Sequence, residues 1–210
     1  MKNFLAVDTS AEYMTVIACK EGAAHTVFEP ACAMQHSVRL MDAVDEALQR
    51  AGLSPRACEC FCAVTGPGSF TGIRIGISCA KGFAAACGTP TLGVTAFRLA
   101  AYTAEGKVLA ALPAGRGSYY VCGFYEGKEV LAPACVGEEE LKNLAREYAV
   151  YSAYELPVPH TRIDPAAGLL GCVLSARPQD CGELGAVYVR RSQAEISHNF
   201  FRADERNCRE

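Results

Sequence analysis

Twelve cysteines and four histidines are the side chains of this 210-residue chain that could hold a metal or attack a substrate, and their spacing speaks against both uses. No Cys-x-x-Cys pair occurs. His25, His36, His160 and His198 are dispersed, without the His-Glu-x-x-His spacing that puts two zinc ligands on one helix face in a metallopeptidase. The one cysteine cluster, Cys58, Cys60 and Cys62, has strand spacing, which predicts three thiols on one sheet face acting as small buried hydrophobes. No thiol stands in a recognisable pairing with a histidine, so no cysteine nucleophile is expected. What remains is a built backbone, the run Gly66-Pro67-Gly68-Ser69-Phe70-Thr71-Gly72-Ile73-Arg74-Ile75-Gly76. Gly66 and Gly68 permit angles that a side chain forbids, Pro67 fixes one between them, and Ser69 or Thr71 can cap a helix that follows.

The elements around this loop can be read from periodicity. The apolar run 60–64 before it is a buried strand, and 72–86 after it is a helix, so the loop is a strand-to-helix turn. Gly72, Gly76 and Ala80 recur every four residues on that helix, with Cys79 and Phe83 on the same side. An interior glycine costs about 1 kcal/mol relative to alanine, so the stripe predicts close approach of another helix, from this chain or another subunit. Upstream, 4–9, 13–20 and 24–29 read as three strands in an antiparallel start. A helix over 37–51 carries Leu40, Met41, Val44, Ala47 and Leu48 at helical spacing, with Ser37 as its cap and Gly52 at its end. A strand over 91–94 and a helix over 96–104 complete a first lobe. After Glu105-Gly106 the pattern recurs more weakly: strands over 107–112, 118–125 and 129–132, a helix over 138–148, a strand over 150–153, a helix over 165–176 and an extended piece over 186–190. The predicted organisation is an α/β chain with an N-terminal lobe over 1–105, a smaller lobe over 106–191 and a polar tail over 192–210.

The net charge is −3, with acids and bases mixed along the chain, so no basic face for nucleic acid declares itself and strong direct tRNA binding is not expected. The chain opens directly into a strand after Lys2, unlike a signal peptide, and no apolar run approaches the roughly 20 residues of a membrane span. A cytosolic protein without a membrane association is the expectation.

Four pieces together carry a resemblance. Ala6-Val7-Asp8-Thr9-Ser10, His36-Ser37, the glycine run with Arg74 and Gly76, and Val187-Tyr188-Val189-Arg190 resemble, in order and spacing, the TsaB (YeaZ) family, also described as glycoprotease-like. The resemblance implies a two-lobed actin-like and sugar-kinase-like fold of the ASKHA, RNase H-like class. It also implies a partnership with TsaD and TsaE in making threonylcarbamoyladenosine at position 37 of tRNA, and a homodimer when the chain is alone. Pairing in the family uses the first two helices of the N-terminal lobe, so the implied interface set is His36, Leu40, Met41, Val44, Arg74, Gly76, Ile77, Ala80 and Phe83.

Phosphotransfer in such a fold would need hairpin loops from both lobes to hold phosphates and carboxylates to organise a metal. The nucleotide-proximal candidates are Asp8, Thr9 and Ser10 of the first loop, with Gly66, Gly68, Ser69, Thr71 and Gly72. Relatives commonly have Asp where this chain has Pro113, and no carboxylate occurs over 106–125. TsaD-like chains bind metal through a His-x-x-x-His helix, whereas His36 here is followed four residues later by Leu40. The resemblance therefore implies no catalytic residue, no metal set and no cofactor in this chain, with ATP and metal on TsaD and TsaE. The alternatives are a free-standing ATPase or kinase of the actin-like fold, which the glycine loop and Asp8 would allow, and a peptidase, for which no ligands stand in place.

Overall fold

The computed structural model describes residues 1–102 and 104–190. Strand β1 (Phe4–Asp8) pairs antiparallel with β2 (Met14–Lys20), and β2 with β3 (Ala23–Glu29). On the other side of β1, β4 (Cys60–Val64) and β5 (Thr91–Val94) add in parallel, giving the order β3-β2-β1-β4-β5. Parallel neighbours need crossovers, which α1 (His36–Ala51) and α2 (Phe70–Cys87) supply; α3 (Ala96–Ala101) follows β5.

Side-chain alternation then fixes the layers. Leu5 and Val7 of β1, with Val16, Phe61 and Ala63, pack under α1 and α2. Phe4 and Ala6, with Ile17, Cys60, Cys62 and Val64, face the opposite way, against Leu169 and Val173. Cys58 departs from the expected single face. It precedes β4, after a 3-10 turn over Pro55–Ala57 that breaks the alternation, and it joins the α1/α2 side.

The second sheet repeats the first. Strands β6 (Lys107–Gly115), β7 (Ser118–Tyr125) and β8 (Lys128–Gly137) form the meander, and β9 (Ala149–Ser152) and β10 (Thr161–Arg162) add in parallel, in the order β10-β9-β6-β7-β8. Helix α4 (Glu138–Leu144) connects β8 to β9, and α5 (Pro165–Ser175) follows β10. Two sheets with one topology, each a meander extended by parallel strands, make the duplicated α/β architecture of the actin-like class.

Several expectations shift. Strands β6 and β8 run longer than the apolar periodicity indicates, because β7 pairs with both along its length through local irregularities. Helix α4 is shorter, ending in turns over 145–148. Helix α1 begins at His36 with Gln35 as its cap residue, so Ser37 lies inside the first turn and caps nothing. Residues 186–190 lie outside both sheets and touch the first lobe through Val187 N–H donating to Thr65 O at 2.8 Å. Helix α5 also returns to the first lobe: a Cβ at Gly168 would stand 2.5 Å from the Leu99 carbonyl oxygen. The tail over 192–210 lies outside the described residues. No described helix is long and apolar enough to cross a membrane.

Candidate functional site

The glycine run and the β1–β2 turn fold onto each other. Ser69 Oγ accepts from Gly72 N at 3.2 Å and so caps α2. Thr71, the other candidate cap, is exposed. Ser69 N–H donates to Ser10 O at 2.7 Å, and Thr9 Oγ1 donates to Gly72 O at 2.7 Å. A Cβ at Gly68 would collide with the Ser10 carbonyl, and one at Gly72 with the Thr9 carbonyl. Gly66 has φ +106°, and a Cβ there would meet Ile73 at 2.7 Å and the Val187 carbonyl oxygen at 2.8 Å. The glycines are therefore required by contacts inside the chain.

Asp8 lies at the centre of this junction. Its Oδ1 accepts from Ser10 N at 2.9 Å and from Ser10 Oγ at 2.6 Å, an Asx-type turn closed by its own hairpin. Its Oδ2 is buried without a hydrogen-bond partner among the described residues. Burial pushes the carboxyl above the ordinary carboxylate value, against the opposing pull of the two Ser10 bonds. The Tyr13 ring stands 6.5 Å from that of Tyr154, in the loop after β9, so aromatic contact joins the lobes beside Asp8. Burial raises both phenols, and the nearby Asp8 charge adds to it. Three donors that could have faced a phosphate, Ser10 N–H, Ser10 Oγ–H and Thr9 Oγ1–H, are committed to the chain itself. The counterpart turn, from Pro113 to Gly117, carries Arg116 at φ +54° and no acid. Among the described residues no three of His, Cys, Asp and Glu converge on a metal position.

The small-residue stripe turns inward, which overturns its assignment to a foreign helix. Gly76 faces Thr9 and Val7, where a Cβ would lie 2.7 Å from Thr9 Oγ1. Ala80, Val44, Leu40 and Ile77 are buried in the core between these helices and the sheet, and Phe83 stacks on Phe61 with centroids 5.5 Å apart. His36 is buried as well, its Nε2 3.1 Å from Tyr13 O, where it anchors the start of α1. Of the nine residues implied as an interface, Met41 and Arg74 are the two exposed ones. The polar residues of α2, Thr71, Arg74, Ser78 and Lys81, recur at helical spacing and are all exposed, so they mark its outward side, with the stripe of Gly72, Gly76 and Ala80 turned away from it.

The outward side of the same helix pair forms a different surface. An open groove of about 510 Å³ runs between Ser37, Leu40 and Met41 of α1 and Phe70, Thr71, Arg74, Ile75 and Ser78 of α2. Val38, Met41 and Phe70 are 72%, 48% and 40% exposed, a density of accessible apolar side chains that α1's polar outer face does not otherwise show. One end is stiffened by a sandwich. The Arg74 guanidinium carbon lies 3.9 Å from the Phe70 ring centre, Arg74 Nε donates to Tyr188 Oη at 3.0 Å, and the Phe70 and Tyr188 rings stack at 4.9 Å. Sequence reading missed Ser37, Val38, Phe70, Ile75 and Ser78 as surface groups. The available signal was Val38 and Met41, apolar residues off the buried stripe of α1.

A family model described as TsaD, tRNA N6-adenosine threonylcarbamoyltransferase, matches residues 27–163. A relative in Escherichia coli K12, the tRNA threonylcarbamoyladenosine biosynthesis protein TsaB, is 33% identical over 159 residues, spanning 69% of this chain and 68% of its own. The chain belongs to the TsaB (YeaZ) family. The TsaB of Bacillus subtilis 168 is 29% identical over 140 residues, covering 65% of this chain and 61% of that one. The solved structure of YeaZ from Pseudomonas aeruginosa superposes with a TM-score of 0.71 at 26% identity, over 90% of this chain and all of the other. The superposition on YeaZ, over 90% of the chain, takes in both sheets.

Proposed function

We propose that this chain is a non-catalytic partner of TsaD in the formation of threonylcarbamoyladenosine on tRNA, docking through the outward groove of α1 and α2. In the absence of TsaD the same face pairs two copies of the chain, and TsaE joins the assembled complex in the cytosol. ATP and metal belong to TsaD and TsaE. The observation that carries this reading is the pairing of two features: a turn whose donors are spent within the chain, and beside it a helix pair that leaves Val38, Met41 and Phe70 in solvent. The relatives named for threonylcarbamoyladenosine biosynthesis supply the pathway.

Met41→Glu tests it. A charge at a position 48% exposed leaves the monomer folded, whereas burying that charge in an interface without a partner costs several kcal/mol. Size-exclusion chromatography with light scattering should show loss of the complex with TsaD and a monomer in its absence, and circular dichroism should show the folded spectrum of the parent chain. An intact complex overturns the groove. Turnover of Mg-ATP by the isolated chain overturns the non-catalytic role.

A further inference from the structure

On the opposite face of the first sheet from the docking groove lies a second cavity, of about 680 Å³, between β5, α3, α5 and the turn joining β7 to β8. This volume falls within the roughly 300–1,000 Å³ of small-molecule sites. Its floor is apolar, with Leu92, Val94 and Phe124 all buried. Its walls are locked together: Gly168 of α5 meets the Leu99 backbone of α3, and any side chain at Gly171 would collide with the Tyr102 ring that lines the cavity. These contacts set α3 and α5 directly against each other at the cavity wall.

The charges in this cavity do not cancel. Arg98, Arg177 and Asp180 are its charged lining. Asp180 Oδ2 accepts from Arg177 N at 2.8 Å and lies 3.6 Å from Arg177 Nε, so the acid bonds within its own turn, and the Arg98 charge acts on it only as a weaker, non-bonded influence. The Arg98 guanidinium has neither an ion pair nor a hydrogen bond among the described residues; only its backbone groups bond, N–H to Thr95 and C=O to the Cys172 thiol. The Ser175 hydroxyl donates back to Gly171 and Cys172 carbonyls. One uncommitted guanidinium, a planar fork of five donors, thus borders an apolar floor.

We propose that this cavity binds a small organic anion, a carboxylate or phosphate on a flat apolar body, with Arg98 holding the anion and Leu92, Phe124 and Tyr102 holding the body. Nothing in the docking reading requires it, and the two surfaces share no residue. Titration of the full chain by calorimetry with phenyl phosphate and with benzoate should give binding below about 1 mM for at least one of them, and the pair distinguishes a phosphate from a carboxylate head group. Inorganic phosphate, which has the charge without the body, and benzyl alcohol, which has the body without the charge, should each bind at least tenfold more weakly. Arg98→Gln should lower affinity at least tenfold, while Arg56→Gln, which removes an exposed arginine outside the cavity, should not change it. Should Arg98→Gln misfold, amide shift mapping on the unaltered chain decides, since the largest shifts must fall on 92–102 and 172–180. Absence of binding by both probes, equal binding of inorganic phosphate, indifference to Arg98→Gln in a folded variant, or shifts centred elsewhere would each overturn the proposal.

Discussion

Three glycines on one helix should respond to the same substitution in three different ways. Gly82→Ala adds a methyl group where nothing lies within 4 Å, so the variant gains only the helix preference of alanine, about 1 kcal/mol. Gly76→Ala makes the same gain but places Cβ 2.7 Å from Thr9 Oγ1, the hydroxyl that donates to Gly72 O. Moving that hydroxyl breaks a buried bond worth about 1 kcal/mol, and overpacking adds about 1–3 kcal/mol, for a net loss of roughly 1–3 kcal/mol. Gly72→Ala drives Cβ into the Thr9 carbonyl, which is backbone and cannot rotate away, so the loss exceeds about 3 kcal/mol. For a chain of this length each kcal/mol moves the melting temperature by about 2–4 °C. Thermal unfolding followed by circular dichroism should therefore rank Gly82→Ala above the parent, Gly76→Ala below it, and Gly72→Ala lowest or unfolded. If Gly76→Ala and Gly72→Ala melted with the parent and lost only association, the stripe would be an open groove after all and the inward packing refuted.

Further outcomes follow from the same contacts. Because Asp8 binds its proton more tightly folded than unfolded, its contribution makes stability fall as pH rises from the ordinary value of 3.8 through the raised folded value. Asp8→Asn, which keeps an oxygen for the Ser10 bonds, should melt higher than the parent at neutral pH, with the advantage vanishing on acidification; a pH-independent difference would refute the buried charge. Arg74→Ala should destabilise by about 1 kcal/mol and speed amide exchange over 186–190, and Arg74→Lys should restore little, because an ammonium has neither the plane that lies on the Phe70 ring nor the Nε that donates to Tyr188 Oη. Burial pushes the Cys58, Cys60 and Cys122 thiols up to about 12 and Cys79 and Cys172 to about 11. Peptide mapping after native alkylation at pH 8 should thus find Cys135, which is exposed, modified first among the described thiols, and equal labelling of Cys60 would contradict this.

The glycine-rich turn, the bounds of β4, β5 and β7 and the recurrence of the meander were legible because each is a local matter: positive φ at Glu21 and Gly22, strand-length apolar runs, and Gly52 in the left-handed region at the end of α1. The cap of α1 and the orientation of Cys58 were not, since a neighbouring strand or turn outweighed a weak local preference. Tyr154 beside Tyr13, and Tyr188 stacked with Phe70, could not be foreseen, because contacts between distant segments leave no periodic trace.

By itself the sequence determined the two meanders, the helices that connect their parallel strands, and the need for something to approach Gly72 and Gly76 closely. Tertiary structure alone decided what that something is. The polar stripe of Thr71, Arg74, Ser78 and Lys81 records which side of α2 faces out, but not whether its glycines meet another helix or a turn, and that choice was made when the Thr9 carbonyl and hydroxyl took the space that only glycine leaves open. With the glycines on that turn, Met41, Phe70 and Arg74 face solvent.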